Sequence, residues 1–517
     1  MSPTAHSRSP PQIIPSPEKA NLFAKYLSNV FKPHSSNIAP EITEFLHSPF
    51  QMSPTIKPYT SLEVTELIHR LNPRKASGHG QITNKAIKEL PIKGIALISS
   101  IFNAILRLEY YPKAWKTSLI TLIPKPGKPI YETSSYRPIS LLPTLSKLFE
   151  KFLTNRLLPL VEDLRTLPDR QFGSRKQHST IEQIHRITHN ISQTLEKKKY
   201  CSAVFLDIQQ AFDKVWHEGL LYKLNKILPH IYYSILKSYL TKRQFMVKYL
   251  DATTTTFPIE AGIPQGSVLG PLLFSIYTAD LPISTEITIA TFADDTALLA
   301  SHVDPIIVSS TFQRGLDSME KWFHKWGFKI NEKKSTHVTF TLRKQTCPQV
   351  TLNNITIPNK DTVRYLGMTL DRRLTRKQYI TDKSKQLKDK LKKFYCLIGR
   401  RSNLSTQNKI TLYKTVIKPV WTYGIQLWGT ASNSNIEIFQ RFQSKTLRSL
   451  INAPWYVTNE TIQRDLEIPT VEEEIYKFRS RYNARVNNHH NPLVTQLLDT
   501  MDQIRRLKKK IPFRLNH

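Results

Sequence analysis

Two adjacent aspartates inside an apolar run constrain the fold of this chain more than any other feature. Asp294 and Asp295 lie within FADDTALLA at 292–300, and Asp207 lies in the similar run VFLDI at 204–208. Burying an uncompensated carboxylate is costly, so carboxylates in such runs indicate a bound cation. The pattern predicts one strand that ends at Asp207 and a hairpin that carries the other two aspartates.

Three aspartates in this setting indicate a particular kind of chemistry. Mg²⁺ prefers oxygen ligands, typically one or two carboxylates together with substrate phosphates. Two such ions about 3.5–4 Å apart can hold the attacking and the leaving oxygen of an in-line phosphoryl displacement. The aspartates therefore predict the palm of a nucleotidyl-transferring enzyme.

The charge balance indicates a polyanionic partner. The 517 residues include 74 Lys and Arg against 40 Asp and Glu, a formal net charge of +34. Such a surplus is typical of nucleic-acid binding, and a merely basic protein or a membrane-surface binder is the alternative. A chain of this length also predicts two or more subdomains, since one compact core rarely grows so large.

Neither a membrane span nor a cysteine-based site is predicted. The longest apolar stretch, near 268–277, is broken by Gly270 and Pro271 and is shorter than the ~18 residues of a span. Cys201, Cys347 and Cys396 are widely separated, without zinc-ligand spacing. We expect an intracellular protein.

Eight sequence blocks identify a family resemblance. The chain resembles the reverse transcriptases of non-LTR (LINE-type) retrotransposons, closest to the jockey-like group, from about Lys19 to the C-terminal tail. One block would be weak evidence, but eight in the family's order are not expected by chance. The blocks are LITLIPKPGK (119–128), SYRPISLLPTLSKLFE (135–150), QFGSRKQHST (171–180), FLDIQQAFDKVWH (205–217), AGIPQGSVLGPLLF (261–274), FADDTALLA (292–300), WGFKINEKKS (326–335) and RYLGMTLDRRL (364–374).

The resemblance implies an α+β right-hand polymerase, with fingers, an antiparallel-sheet palm, a helical thumb and a helical C-terminal extension. The predicted domains are a disordered, Pro-rich connector at 1–55, fingers with an N-terminal extension at 56–200, a palm with the catalytic core at 201–340, the end of the palm and a basic thumb at 341–410, and a helical C-terminal region with a basic tail at 411–517.

The resemblance also implies roles at the metal site. Asp207 and Asp294 are expected to ligate two Mg²⁺ ions, with Mn²⁺ as a substitute, helped by the backbone carbonyl of Ile208. Asp295 is expected to be the more peripheral carboxylate. Lys334 matches the place of a lysine that protonates the leaving pyrophosphate, although the adjacent Lys333 leaves that assignment open.

Five further residues are expected to contact the incoming nucleotide. Arg137 matches a triphosphate-binding arginine, and Lys125 or Lys128 would add a point charge. Phe212 would occupy the space of a ribose 2′-hydroxyl, so that ribonucleotides are rejected. Gln265 would touch the nucleotide and Gly266 would let the backbone approach it closely.

A basic amphipathic segment is expected to follow the nucleic-acid backbone. Residues 371–401 carry twelve Lys and Arg against three Asp, a net charge of +9. Lysines beside phosphates gain affinity by releasing counterions, whereas the alternative is a solvated helix face. The candidate contacts are Lys383, Lys385, Lys388 and Lys392.

The sequence thus predicts an RNA-directed DNA polymerase that takes an RNA template, a DNA primer or target and deoxynucleoside triphosphates. A silent or co-opted relic that binds nucleic acid and a group II intron-like reverse transcriptase are the alternatives, and Phe212 argues against an RNA polymerase.

The family's upstream endonuclease domain has no counterpart before the fingers, so we expect the chain to lack it. Nuclear location is expected for target-primed synthesis, and cytoplasmic location for RNA association. The oligomeric state stays open.

Overall fold

The structure is a computed structural model that describes residues 15–34, 40–48, 56–282 and 284–498. In these ranges no helix combines the length and the apolar character needed to cross a membrane. The helices are α1 (Ser16–Val30), α2 (Pro40–His47), α3 (Ser61–His69), α4 (Asn84–Lys88), α5 (Ile92–Leu108), α6 (Thr144–Asp163), α7 (Thr180–Glu196), α8 (His217–Ile227), α9 (His230–Leu240), α10 (Gly270–Tyr277), α11 (Pro305–Lys325), α12 (Lys377–Ile398), α13 (Thr406–Leu412), α14 (Lys418–Thr422), α15 (Ile425–Trp428), α16 (Asn433–Leu450), α17 (Asn459–Asp465), α18 (Val471–Asn487) and α19 (Pro492–Thr495).

Thirteen strands are described in the same ranges, and together with the helices they form the α+β combination that the sequence predicts. The strands are β1 (Thr117–Pro124), β2 (Tyr136–Leu141), β3 (Tyr200–Leu206), β4 (Arg243–Tyr249), β5 (Ala252–Thr253), β6 (Phe257–Ile259), β7 (Thr288–Phe292), β8 (Asp295–His302), β9 (Thr336–Phe340), β10 (Thr351–Leu352), β11 (Ile355–Thr356), β12 (Thr362–Tyr365) and β13 (Met368–Asp371).

The chain forms two compact units, and each is built from three separate stretches. The units do not coincide with the predicted contiguous domains, because contacts within each unit join stretches that lie far apart in sequence. The fingers, palm and thumb assignments stay predictions. The first unit comprises Met1–Pro168, Ile208–Leu281 and Lys321–Lys329, and the second comprises Asp169–Asp207, Pro282–Glu320 and Ile330–His517.

The first unit contains a sheet in the order β2-β1-β4-β5, with β6 also paired to β4. β1 pairs antiparallel with β2 and parallel with β4. α1 lies against β4, and its buried Phe23 and Leu27 join a core with Ile120 and Phe245. The hairpin of β1 and β2 is thereby backed by the apolar face of α1.

Helices α1 and α2 lie within the segment 1–55, for which the sequence predicts a Pro-rich connector. Phe23 and Leu27 are spaced at i and i+4, which places both on one helix face, and burial of that face stabilises the helix despite the Pro-rich surroundings. Residues 1–14, 35–39 and 49–55 of the predicted connector lie outside the described residues.

The second unit contains a four-stranded antiparallel sheet in the order β7-β8-β3-β9. All seven residues of the central strand β3 are buried, because both faces of the sheet are covered; α7 packs on one of them. This double burial explains the unbroken apolar run before Asp207. The predicted strand ending at Asp207 and the predicted hairpin, β7 with β8, are both confirmed.

The rest of the second unit is mostly helical. α12 packs along α16 and buries Ile380 and Leu387 in the same core as Trp421 and Trp428. The helical character expected after residue 410 is confirmed by α13 to α19, and the predicted basic tail lies outside the described residues.

Candidate active site

The turn between β7 and β8 presents two of the three predicted metal ligands. Phe292 pairs with Asp295, so Ala293 and Asp294 form a two-residue connection between the strands. Ala293 adopts φ +55°, a left-handed conformation that costs energy in a residue with a side chain. Asp294 and Asp295 are exposed at this turn.

The third aspartate is positioned by the neighbouring strand and by a loop. The last pair between the antiparallel strands β3 and β8 is Leu206 with Thr296. If this register is continued by one residue, Asp207 lies opposite Asp295. The backbone N–H of Asp207 donates to Ser335 Oγ at 3.1 Å, and its carbonyl accepts from the N–H of Asn331 at 2.8 Å. Asp207 is thus fixed to the loop before β9.

The electrostatics of the three carboxylates show that they repel one another. The pKa of Asp295 is raised to about 6, mainly by partial desolvation and to a smaller extent by the negative charges of Asp294 and Asp207. The residue is nevertheless exposed to water. Burial raises the pKa of Asp207, and the charge of Lys334 opposes that rise. A cation among these oxygens would favour their ionised forms.

Lys334 lies beside this cluster. Its Nζ is 4.0 Å from Asp207 Oδ2, and its side chain is 68% exposed. Between the two adjacent lysines that the sequence left open, Lys334 is the one for which the structure describes a contact with a catalytic candidate.

The donor set fits a divalent cation. Asp207, Asp294 and Asp295 offer hard carboxylate oxygens, the ligands that Mg²⁺ and Mn²⁺ prefer in proteins. Like charges held together at the end of two paired strands are a destabilising arrangement unless a cation offsets them. Ile208 belongs to the first unit, and the role of its carbonyl stays a prediction.

Two residues that the sequence reasoning did not select hold the aspartate turn in place. The side-chain oxygen of Gln171 accepts from the N–H of Ala293 at 3.0 Å and from the N–H of Gly173 at 2.9 Å. A Cβ added to Gly173 would lie 2.2 Å from the nitrogen of Ala293, so glycine is required there. Both residues lie in the QFGSR block, which was the available signal.

Three of the predicted nucleotide-binding residues come together in the first unit. Phe212 is half-buried and stacks on Phe274, with ring centroids 4.3 Å apart. Gln265 donates from Nε2 to Asp213 Oδ1 at 2.9 Å, and its carbonyl accepts from the N–H of Ser140 at 2.8 Å.

Gly266 follows with φ +115°, and an added Cβ would lie 2.8 Å from the carbonyl oxygen of Ser140. The loop therefore approaches β2 closely at Gly266, and the close approach to a nucleotide stays a prediction. The approach to β2 accounts for glycine at this position whether or not a nucleotide binds beside it.

The other two predicted nucleotide contacts lie on the hairpin of β1 and β2. Arg137 is exposed on β2 opposite Ile123. Lys125 follows β1 directly, and its Nζ donates to the carbonyl of Ser134 at 2.8 Å. Both remain candidates, with Arg137 the more accessible of the two.

Glu150 is a second feature that the sequence reasoning missed. This fully buried carboxylate on α6 accepts from the N–H groups of Val268 and Leu269 at 2.7 and 3.3 Å. Burial raises the pKa of Glu150, and the nearby Arg243 opposes that rise. Glu150 therefore holds the start of α10, directly after the loop of Gln265. The signal was its place at the end of the SYRPISLLPTLSKLFE block.

The four predicted nucleic-acid lysines lie on α12 but are not equivalent. Lys385, Lys388 and Lys392 are exposed. Lys383 is half-buried, with its Nζ 5.7 Å from the ring centroid of Tyr379 and 5.7 Å from that of Tyr423. The first three are accessible to a phosphate backbone, and Lys383 less so.

A histidine cluster elsewhere in the second unit is explained by hydrogen bonds. Ring nitrogens of His178, His489 and His490 lie within 4.8 Å of one another. Asn491 donates from Nδ2 to His178 Nε2 at 3.0 Å and from its backbone N–H to His489 Nδ1 at 3.0 Å. These bonds occupy the lone pairs of His178 Nε2 and His489 Nδ1 that a metal would need. The cluster therefore serves to join the segment after α18 to the segment before α7.

Known proteins share a family match and extended sequence identity with this chain. Residues 123–370 match the family described as reverse transcriptase (RNA-dependent DNA polymerase). The chain is 40% identical to the probable RNA-directed DNA polymerase from transposon X-element of Drosophila melanogaster, over 96% of this chain and 55% of that protein. Identity is also 40% to the RNA-directed DNA polymerase from mobile element jockey of the same species, over 93% of this chain and 54% of that protein.

The chain spans about half the length of the curated relatives that it matches. Among solved structures, an apo telomerase from Candida tropicalis, truncated from its C-terminal domain, aligns with a TM-score of 0.35 and 13% identity. That alignment covers 53% of this chain and 59% of the telomerase chain, and its score is too low to bear on the fold.

Proposed function

The chain carries a reverse transcriptase domain and is related over most of its length to the polymerases of non-LTR transposons such as jockey, and on this premise we propose that it extends a primer 3′-hydroxyl on an RNA template. The reaction joins the primer oxygen to the α-phosphorus of a deoxynucleoside triphosphate and releases pyrophosphate. The substrates are an RNA template, a DNA primer and the four deoxynucleotides.

Asp207, Asp294 and Asp295 would hold the divalent cations. When bound, two Mg²⁺ ions lower the pKa of the primer hydroxyl and stabilise the charge on the leaving pyrophosphate. The raised pKa of Asp295 supports this assignment, since the carboxylates repel one another in the absence of a cation. Lys334, whose Nζ lies 4.0 Å from Asp207 Oδ2, would donate a proton to the departing pyrophosphate.

Residues of the first unit would select the nucleotide. The ring of Phe212, fixed by its stack on Phe274, would clash with a 2′-hydroxyl and so favour deoxynucleotides. Gln265, oriented by Asp213, would contact the nucleotide next to Gly266. Arg137 would bind the triphosphate through its planar guanidinium, with Lys125 as a second positive charge.

α12 would bind the template–primer duplex. Its exposed Lys385, Lys388 and Lys392 lie opposite a buried apolar row, so the charged face is accessible to phosphates. Each phosphate contact would release counterions and make the affinity salt-dependent. Lys383, packed near two tyrosine rings, would contribute less.

The observation that carries the proposal is the convergence of three mutually repelling carboxylates at one end of β3 and β8. The test is primer extension on an RNA template with deoxynucleotides and Mg²⁺. We expect product from the unmodified chain and none from the double variant Asp294→Asn/Asp295→Asn. The matched control is Asp317→Asn, which changes an exposed aspartate on α11 and should leave extension intact.

The other outcomes separate the alternatives. Salt-dependent binding of an RNA–DNA duplex without extension would leave a nucleic-acid-binding relic. Incorporation of ribonucleotides by the unmodified chain would contradict the role of Phe212. Equal extension by the unmodified chain and the double variant would overturn the assignment of the metal site.

A further inference from the structure

Two large aromatic side chains stand exposed in the connection between α16 and α17. Trp455 is 90% exposed and Tyr456 is 69% exposed. Their ring centroids are 6.0 Å apart, with planes at 81°. Exposure of an indole to this degree leaves its faces open to a ligand, and neither side chain takes part in the proposed reaction.

The turn that carries these rings is well held. Trp455 and Tyr456 are its central residues, because the N–H of Val457 donates to the carbonyl of Pro454 at 3.2 Å. The guanidinium of Arg448, in the last turn of α16, donates to both of these flanking residues: to the carbonyl of Pro454 at 2.7 Å and to that of Val457 at 2.6 Å. A ligand would therefore meet a backbone turn that is already ordered, at little cost in backbone conformational entropy.

Positive charge lies on the helix that supports the turn. Arg441 and Lys445 are exposed on α16, and their spacing puts them on the same face as Arg448, toward the end where the turn begins. Acidic residues flank this stripe: Glu437 lies one turn before it, and Glu460 lies at the start of α17. The helix itself keeps more positive than negative charge.

A protein partner fits this surface poorly. A specific protein interface covers about 800 Å² on each partner, with an apolar centre. Here two rings stand alone, and the neighbouring Asn452, Thr458 and Asn459 are exposed and polar. Unpaired bases have apolar faces of ring size joined by a phosphate backbone, which matches isolated aromatics beside cationic side chains.

We propose that Trp455 and Tyr456 form a stacking platform for unpaired bases of single-stranded nucleic acid, with Arg441 and Lys445 contacting its phosphates. The platform binds a strand outside the polymerase site, so it goes beyond the extension of a primer. RNA and DNA share the chemistry that it recognises, since every base has a stacking face.

The test is the affinity of the full chain for short unstructured oligonucleotides, one of RNA and one of DNA, measured without deoxynucleotides. Trp455→Ala should weaken binding of at least one strand type by about tenfold, whereas Trp455→Phe, which keeps a ring, should restore most of it. Arg441→Gln/Lys445→Gln should lower the slope of log affinity against log salt by about 0.7 for each lost phosphate contact. The matched control is Tyr476→Ala, which removes a ring that is 55% exposed on α18, and it should bind like the unmodified chain.

The outcomes are distinguishable from failure of the proposed polymerase. The inactive Asp294→Asn/Asp295→Asn variant should bind these strands normally, because stacking does not need the metal site. Unchanged affinity in Trp455→Ala, or an equal loss in Tyr476→Ala, would overturn the platform. Self-association of the chain that Trp455→Ala abolishes would assign the rings to a contact between two copies instead. The RNA and DNA arms show which strand the platform prefers.

Discussion

Asp295 is the site residue whose charge depends most on its neighbours. Its pKa of about 6 lies above the ordinary value of 3.8 because of desolvation and of Asp294 and Asp207. A carboxyl whose folded-state pKa is raised costs stability as the pH rises from about 4 to 6, since the folded protein resists its ionisation. Above pH 6 the three ionised carboxylates therefore repel one another in the protein without a cation. A divalent ion bound among them would relieve this repulsion.

Asp294→Asn should make the metal-free protein slightly more stable and largely insensitive to Mg²⁺. Removing one of three like charges relieves the repulsion and also removes a ligand. Because solvent screens these exposed carboxylates, the gain should stay below about 1 kcal/mol. Thermal unfolding at pH 7.5 with EDTA or with Mg²⁺ measures both effects, and an equal Mg²⁺ response in both proteins would contradict the expectation.

The turn of β7 and β8 shows which parts of an element a sequence can predict. The apolar runs around the aspartates predict strands and their ends, because burial on both faces leaves a continuous hydrophobic signal. The residues that position the loops are different: Gln171 holds the turn through Ala293, 122 positions away. In the first unit, Glu150 holds the start of α10 through Val268, 118 positions away. Contacts between such distant residues leave no local pattern, so the motif blocks pointed to these residues without giving their roles.

Gly173→Ala should reduce primer extension strongly while leaving the protein folded. The added methyl group would lie 2.2 Å from the nitrogen of Ala293, so the turn with Asp294 must shift, and a displacement of about 1 Å can cost about 10²-fold in rate. The matched control is Gly80→Ala, whose Cβ would meet no atom within 4 Å. Thermal unfolding is followed in parallel, and normal extension by folded Gly173→Ala would refute the positioning role.

On the scale of the whole molecule, histidines that are buried or half-buried occur in both compact units. His34 and His217 lie in the first unit, and His178 and His337 lie in the second. Burial lowers the pKa of each of them to about 4, from an ordinary 6.5. A lowered pKa means that the folded state holds the neutral ring, so this stability is complete above pH 6.5 and declines as the pH falls toward 4.

The melting temperature should therefore fall between pH 7 and pH 5, before most exposed carboxylates titrate. His217→Gln should show a weaker dependence, because it lacks the ring whose Nε2 bonds the carbonyl of Gly262 at 2.8 Å. His324→Gln, at an exposed position of α11, should follow the unmodified chain. A melting temperature that is constant over this interval would contradict the prediction.

The order of the strands in the second sheet has a consequence for how the chain is made. β3 ends at Leu206, but its partners β8 and β9 end at His302 and Phe340. At ~5–20 residues per second, a ribosome needs on the order of ten seconds to supply both neighbours. During that time the nascent chain carries YCSAVFL as an apolar strand with two unpaired edges, which makes it a target for aggregation. Efficient production of this protein should therefore depend on chaperones that bind the nascent chain, more than on its stability once complete.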